Sequence, residues 1–410
     1  MLYPFKYLAM NRISGIISFT MILTLISLSG CIDKYPNVPR KYWQELDEAF
    51  SKADGNVHEL KQALNNAPVD QKEGMAFLIA NMPQRDLDSL TADFLLENVK
   101  YAYKARNRFP WAKSLPDSIF LNDVLPYASM NERRDNWRKD FHERFGKYVE
   151  SCKNIRCAID SVNKNIRDEV KVDYNTKRKK PDQSPYESME QGMASCSGLS
   201  ILLTDAFRAV GIPSRIAGTP NWHDNRGNHN WNEVWIDGEW YFTEYYPGGL
   251  NKSWFLADAG KADPNSKEHA IYASSFMPAD TYFPLVWDTT ITYVNAYNVT
   301  DRYIKIYEDS ERKKQLAGNR IVVKVWMFKS AVCTLKGDDR IAANVDVFSS
   351  GEQIGGGRTS GPTQDMNDVL EFKLEKNRDY TFKYFGDGGV LKQVGIHTGD
   401  KNMEIKLYMK

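Results

Sequence analysis

A thiol at 196, an imidazole at 229 and carboxylates at 233 and 244 make up the side-chain types needed for nucleophilic attack on a carbonyl. Such chemistry requires a nucleophile, a base to manage its proton and a third group to orient the base. Cys196 sits in Ala194-Ser-Cys-Ser-Gly-Leu-Ser-Ile-Leu-Leu-Thr-Asp-Ala-Phe-Arg-Ala-Val-Gly-Ile-Pro213. Leu199, Leu202, Leu203, Ala206, Phe207 and Val210 follow helical spacing, with Ser195 as N-cap and Gly211 and Pro213 as the stop. That places Cys196 at the first helical position. There the unpaired N–H groups and the positive end of the helix dipole favour thiolate over thiol.

The imidazole comes from a different element. His229-Asn-Trp-Asn-Glu-Val-Trp-Ile-Asp-Gly-Glu-Trp-Tyr-Phe-Thr-Glu-Tyr-Tyr246 reads as a hairpin turning at Asp237-Gly238. The register then pairs Trp235 with Trp240, Glu233 with Phe242, Trp231 with Glu244 and His229 with Tyr246. It puts His229, Trp231, Glu233 and Trp235 on one face with Glu244. Glu244 becomes the diagonal neighbour of His229 and the favoured orienter, with Glu233 as its rival. His58, His142, His269 and His397 lack a surrounding pattern and read as surface residues. His223 reads as a loop residue beside the cleft.

Several segments in this order carry a resemblance. They are Cys196 at a helix start, Ala209-Val-Gly-Ile-Pro-Ser-Arg215, His229-x-Trp-x-Glu-Val-Trp235 and Trp240-Tyr-Phe-Thr-Glu244. Together they resemble the transglutaminase-like superfamily, relatives of papain-type cysteine proteases, over about residues 187 to 247. Asp182 to Gly192 and Gly218-Thr-Pro-Asn-Trp222 are similar to exported bacterial members, especially those of the Bacteroidetes type. The resemblance implies Cys196 as nucleophile, His229 as general base and acid, and Glu244 as third residue, where the family more commonly has Asp. It also implies a papain/transglutaminase-like α+β core. The reaction would be acyl transfer, with oxyanion donors from the Cys196 N–H and from Gln191 or Trp222. Trp231 is assigned to the same substrate cleft.

The elements around this core form further blocks. Lys6 and Arg12 precede an apolar run from Ile13 to Leu28 and then Leu28-Ser-Gly-Cys31, which resembles a lipobox with cleavage before a lipidated Cys31. Residues 1–30 are expected to be a signal peptide and 31–41 a lipidated tether to a membrane. Residues 42–144 read as an α-helical domain and 145–294 as the catalytic core. Residues 295–410, with alternating runs at Ile321–Phe328, Ala343–Phe348, Val369–Leu374 and Tyr380–Phe385, read as a β-sandwich. Gly355-Gly-Gly357 reads as a turn or hairpin loop.

Cys152 and Cys157 are compatible with a disulfide across a turn in an oxidising compartment, and Cys333 reads as a buried small hydrophobe. No metal, nucleotide or haem motif is visible, so no cofactor is expected. The 410 residues carry a net charge of +1, and loss of Lys6 and Arg12 would leave −1. No global field therefore favours nucleic acid. Two function classes remain. One is a lipid-anchored cysteine enzyme cleaving or transferring peptide or isopeptide amide bonds, and the other is a non-catalytic surface module binding protein or glycan.

Overall fold

Apolar residues three and four apart build the N-terminal helices, among them Trp43–Lys52, Val57–Asn66, Lys72–Asn81 and Ala92–Arg108. Leu46 and Ala49, Leu60 and Leu64, and Leu95 and Val99 are their buried contacts. The computed structural model describes residues 33–246, 248–316, 319–334, 336, 339–364 and 368–410. The expected leader and Cys31 lie outside the described residues. Among these, no helix is long and apolar enough to cross a membrane.

The N-terminal helices do not form a core of their own. They share one apolar cluster with Phe207 and Val210 of the thiol-bearing helix and with Val234. The expected boundary at 144/145 falls inside the helix Arg138–Val149. That helix also serves the C-terminal end of the helix Cys196–Ala209, whose last carbonyls lack intrahelical donors. Arg138 Nη1 donates to the Arg208 carbonyl at 3.3 Å, and His142 Nδ1 lies 2.9 Å from the Ala209 carbonyl. His142 is therefore a buried clamp rather than a surface residue, and burial holds its pKa below the usual value.

Next come β1 (Asp173–Tyr174) and β2 (Met193–Ala194), a short parallel pair leading into the thiol helix. The central sheet follows: β3 (Ser214–Thr219), β4 (His229–Ile236), β5 (Glu239–Thr243), β6 (Tyr272–Ser275), β7 (Thr281–Tyr282) and β8 (Asn295–Asn298). Its spatial order is β5-β4-β3-β6-β8-β7, and every pair is antiparallel. β8 belongs to this sheet, and Tyr303 of the helix Thr300–Leu316 packs into the cluster beneath it. The C-terminal unit therefore starts after that helix, not at 295.

The chain closes with β9 (Arg320–Phe328), β10 (Asn344–Ser349), β11 (Glu352–Arg358), β12 (Leu370–Glu375), β13 (Asp379–Phe385), β14 (Leu391–His397) and β15 (Met403–Tyr408). Two sheets, β11-β10-β13-β14 and β12-β9-β15, close over one apolar core. Ile321, Val323, Val325 and Met327 alternate into that core, as period-two patterning requires. Gly355-Gly-Gly357 is not a turn but lies within β11. A Cβ at Gly357 would collide with Leu370 of β12, so bare backbone there lets that side chain cross. Cys333 is exposed rather than buried, because β9 has already ended at Phe328.

Candidate active site

The thiol helix begins at Cys196. Ser195 caps it by accepting from the Gly198 N–H at 3.1 Å, and its own hydroxyl donates to the Pro181 carbonyl. Cys196 thus occupies the first helical turn, where N–H groups have no intrahelical acceptor. Cys196 is a partly buried residue and its thiol is unbridged. Cys152 and Cys157, by contrast, form a disulfide with a Cα separation of 5.5 Å.

The hairpin register holds from Ile236↔Glu239 to Asn232↔Thr243, with Trp235↔Trp240 and Glu233↔Phe242 as expected. Asp237 and Gly238 both have positive φ, as the tight turn requires. Pairing stops at Thr243, so the expected Trp231/Glu244 and His229/Tyr246 pairs do not form. Glu244 still reaches the ring from just beyond the strand. Its Oε1 lies 2.9 Å from His229 Nε2, which leaves Nδ1 for the thiol.

Cys196 and His229 perturb each other's titration. Burial pushes the thiol up, but a hydrogen bond to His229, the charge of that ring, the Asn230 N–H and the Ser197 side chain together bring it below its ordinary value. Burial pushes His229 down, yet the hydrogen bonds to Cys196 and Glu244 and their charges raise it to about 9. The two shifts depend on each other, and each favours the charged form of its group.

β4 divides its side chains between two duties. Asn230 and Asn232 face the thiol helix. Asn230 Nδ2 donates to Ser197 Oγ at 2.7 Å, and Asn232 Nδ2 to the Ser200 carbonyl and Thr204 Oγ1, both at 2.8 Å. Gly218 on β3 permits this approach, because a Cβ there would collide with Asn230 Oδ1 and lie 2.7 Å from the His229 carbonyl oxygen. His229, Trp231 and Glu233 face the other way.

That opposite face is aromatic. Trp222, Trp254 and Phe255 surround the His229 ring, with centroids at 6.2, 5.1 and 5.6 Å. Trp231 is fully buried, stacked on Phe255 at 4.3 Å, and its indole N–H donates to Tyr303 Oη at 2.6 Å. Trp231 is therefore a core residue and not a cleft wall. Trp222 is also buried and shields the imidazole rather than lining an open cleft. Gln191 is engaged elsewhere: its Nε2 donates to the Glu187 carbonyl at 3.0 Å, and its Oε1 accepts from the Lys179 N–H at 3.1 Å. These bonds tie its side chain to Glu187 and to the loop at Lys179. Glu233, the rival orienter, is bound by Arg215 Nε at 2.8 Å, by Tyr303 Oη at 2.6 Å and by Arg302. It belongs to a buried charge cluster.

Residues beyond the hairpin complete the site. Asn251 folds the following loop back onto β5: its N–H donates to the Phe242 carbonyl and its Oδ1 accepts from the Phe242 N–H, both at 2.9 Å. This delivers the Ser253 hydroxyl to Glu244 Oε2. His223, Ser253 and Trp254 line one side of a groove of about 1530 Å³, with β11 and β12 on the other. His223 Nε2 lies 3.4 Å from Asp258, and Arg226 bridges Asp224 and Asp258.

None of the curated proteins matches the chain. Among solved structures, it is similar to a proposed cysteine protease from Cytophaga hutchinsonii, with 16% identity over 34% of this chain and 47% of that one and a TM-score of 0.28. It is also similar to red sea bream transglutaminase, with 11% identity over 71% of this chain and 65% of that one and a TM-score of 0.31. The chain thus spans less than two thirds of either structure, and similarities this distant carry no functional argument. The family model described as the transglutaminase-like superfamily matches residues 143–245. Cys196, His229 and Glu244 all fall inside that one segment, and it is there that the chain is transglutaminase-like.

Proposed function

We propose that this protein is a cysteine enzyme acting on peptide or isopeptide amide bonds through Cys196, His229 and Glu244. The observation that carries the reading is the shared imidazole: Nε2 held by Glu244 at 2.9 Å, and a thiol on the ring with its pKa depressed.

The chemistry follows from those positions. The Cys196 thiolate attacks the carbonyl carbon, a C–S bond forms and the carbonyl π pair moves onto oxygen. The Cys196 N–H, at the helix start, stabilises that oxyanion. Collapse breaks the C–N bond, and the departing nitrogen takes the His229 proton. Water or an amine then attacks the thioester and gives its proton to the ring, and the thiolate is released. Water makes a hydrolase and an amine makes a transamidase. Glu244 keeps the ring in the tautomer and orientation both steps need.

Export and lipid anchoring through Cys31 belong to the same reading. The Cys152–Cys157 disulfide favours an oxidising compartment, in keeping with an exported bacterial lipoprotein held at an outer membrane or cell surface.

The test uses a peptidyl acyloxymethyl ketone, which alkylates activated thiols. Wild-type protein is expected to be labelled at Cys196 and the Cys196→Ala variant not at all; equal labelling of both removes the thiol from the mechanism. Release of peptide amines against incorporation of a labelled amine then separates hydrolysis from transamidation. Absence of both, with peptide or glycan retained, would identify a binding module.

A further inference from the structure

We propose that Ser253 is a positioning residue for this site, acting on His229 only through Glu244 and extending the three-residue relay to four. The inference rests on the thiol reading above and goes beyond it, because nothing in the sequence pattern marks Ser253.

Glu244 has two carboxylate oxygens with separate partners. Oε1 faces His229 Nε2 and Oε2 accepts from the Ser253 hydroxyl. A carboxylate bound at one oxygen can still swing about its side-chain torsions, whereas one bound at both cannot. Glu244 needs such restraint more than an aspartate would. It has one more methylene, and it lies past Thr243, where the β4–β5 ladder no longer holds the backbone. The Glu244 carbonyl is tied separately, accepting from Asn163 Nδ2 at 2.9 Å. Backbone and side chain are thus fixed by different residues.

Ser253 is itself well placed to hold position. Asn251, two residues earlier, is bonded in both directions to Phe242, and Trp254, the next residue, packs 5.1 Å from the His229 ring. Loss of the hydroxyl would leave a half-buried carboxylate oxygen without a donor. The carboxylate would then turn to find one, and its contact with Nε2 would loosen. A less firmly held imidazolium loses its proton at lower pH, and the thiolate loses its counter-ion.

The experiment measures the rate of Cys196 alkylation by iodoacetamide against pH in the full chain. It is read by mass spectrometry on the peptide that contains Cys196, so the exposed Cys333 does not interfere. Ser253→Ala is expected to lower the rate at neutral pH about tenfold, the loss of one hydrogen bond to a charged group. It should also move the upper pH limit of the pair downward, while Ser253→Thr keeps the wild-type profile. In a Glu244→Ala background, Ser253→Ala should change the rate less than about twofold, because the two act as one unit. An unchanged profile for Ser253→Ala, or an undiminished Ser253 effect without Glu244, overturns the proposal. If wild-type Cys196 titrates as an ordinary isolated thiol, the thiol reading falls and the role of Ser253 falls with it.

Discussion

The Asn230 amide donates to the Ser197 hydroxyl at 2.7 Å, joining the residue after His229, the proposed base, to the residue after Cys196, the proposed nucleophile. Two elements distant in sequence are thereby locked at the point where their reactive groups must meet. Asn230→Ala would leave the Ser197 hydroxyl buried without this partner and is expected to cost about 1–3 kcal/mol. Urea unfolding should show the loss as a lower midpoint with an unchanged slope. Thiol alkylation at neutral pH should slow in the folded protein.

The charge pair predicts a pH window. The thiol titrates below its ordinary value and the imidazole at about 9, so thiolate and imidazolium coexist between those limits. For His229 the folded pKa is raised. Its stabilising contribution is complete below the unfolded value of 6.5 and disappears as pH rises through about 9. For Cys196 the folded pKa is depressed, so its contribution is present above 9.0 in isolation and lost as pH falls through the lowered value. Since each shift depends on the other, the pair stabilises the fold mainly between them. Glu244→Gln removes a negative charge that favours the protonated ring and should shift the upper limit to lower pH. Alkylation rates across pH 4 to 10, in about half-unit steps, would reveal the shift.

Glu233 and Glu244 separate by the kind of damage they cause. Glu233→Gln leaves Arg215 and Arg302 around a neutral amide in a buried setting, at an expected cost of about 3–5 kcal/mol in stability. Glu244→Gln should cost far less stability but change the thiol's pH profile. Calorimetric melting together with alkylation kinetics distinguishes them. A Glu233→Gln protein with a wild-type melting temperature would contradict its place in that cluster.

Gly218→Ala tests the close approach of β3 to β4. The added methyl would press on Asn230 Oδ1 and the His229 carbonyl, and backbone on one side cannot swing away. Overpacking of this type costs about 1–3 kcal/mol. The displacement also falls on His229, the proposed base, so alkylation at neutral pH should drop more than in a similarly destabilising variant of β10, such as Val347→Ala.

Local chemistry explains which of these features could be read from residues alone. Ser195 as cap, Cys196 at the helix start and the Asp237-Gly238 turn are short-range devices, and the turn sets the register as far as Thr243, one residue short of Glu244. Long-range partners left no such pattern. Ser253 is an ordinary serine in a loop, and only the return of Asn251 to Phe242 brings it to the carboxylate. Gln191 has suitable chemistry, but its side chain is bonded to Glu187 and to the loop at Lys179. Trp231 alternates with His229 on the same face, yet Phe255 and Tyr303 from later segments cover it. His142 read as a surface residue because its partner, the Ala209 carbonyl, belongs to another helix and leaves no mark in the local spacing. Gly355 to Gly357 read as a turn or hairpin loop because glycine runs usually are one, whereas here they lie in β11, where Gly357 makes room for Leu370.

The Glu233 cluster has an implication for anyone wishing to isolate the reactive unit. Arg302 and Tyr303 come from well beyond residue 245, Ser253 and Trp254 lie just past it, and the helices before 143 share the apolar interior of the thiol helix. A fragment trimmed to residues 143–245 would keep all three reactive side chains yet strand a buried glutamate without two of its partners and bare one flank of the imidazole. A piece that keeps these contacts runs from the first helices through Tyr303, so the candidate site is shaped as much by its flanking sequence as by residues 143–245.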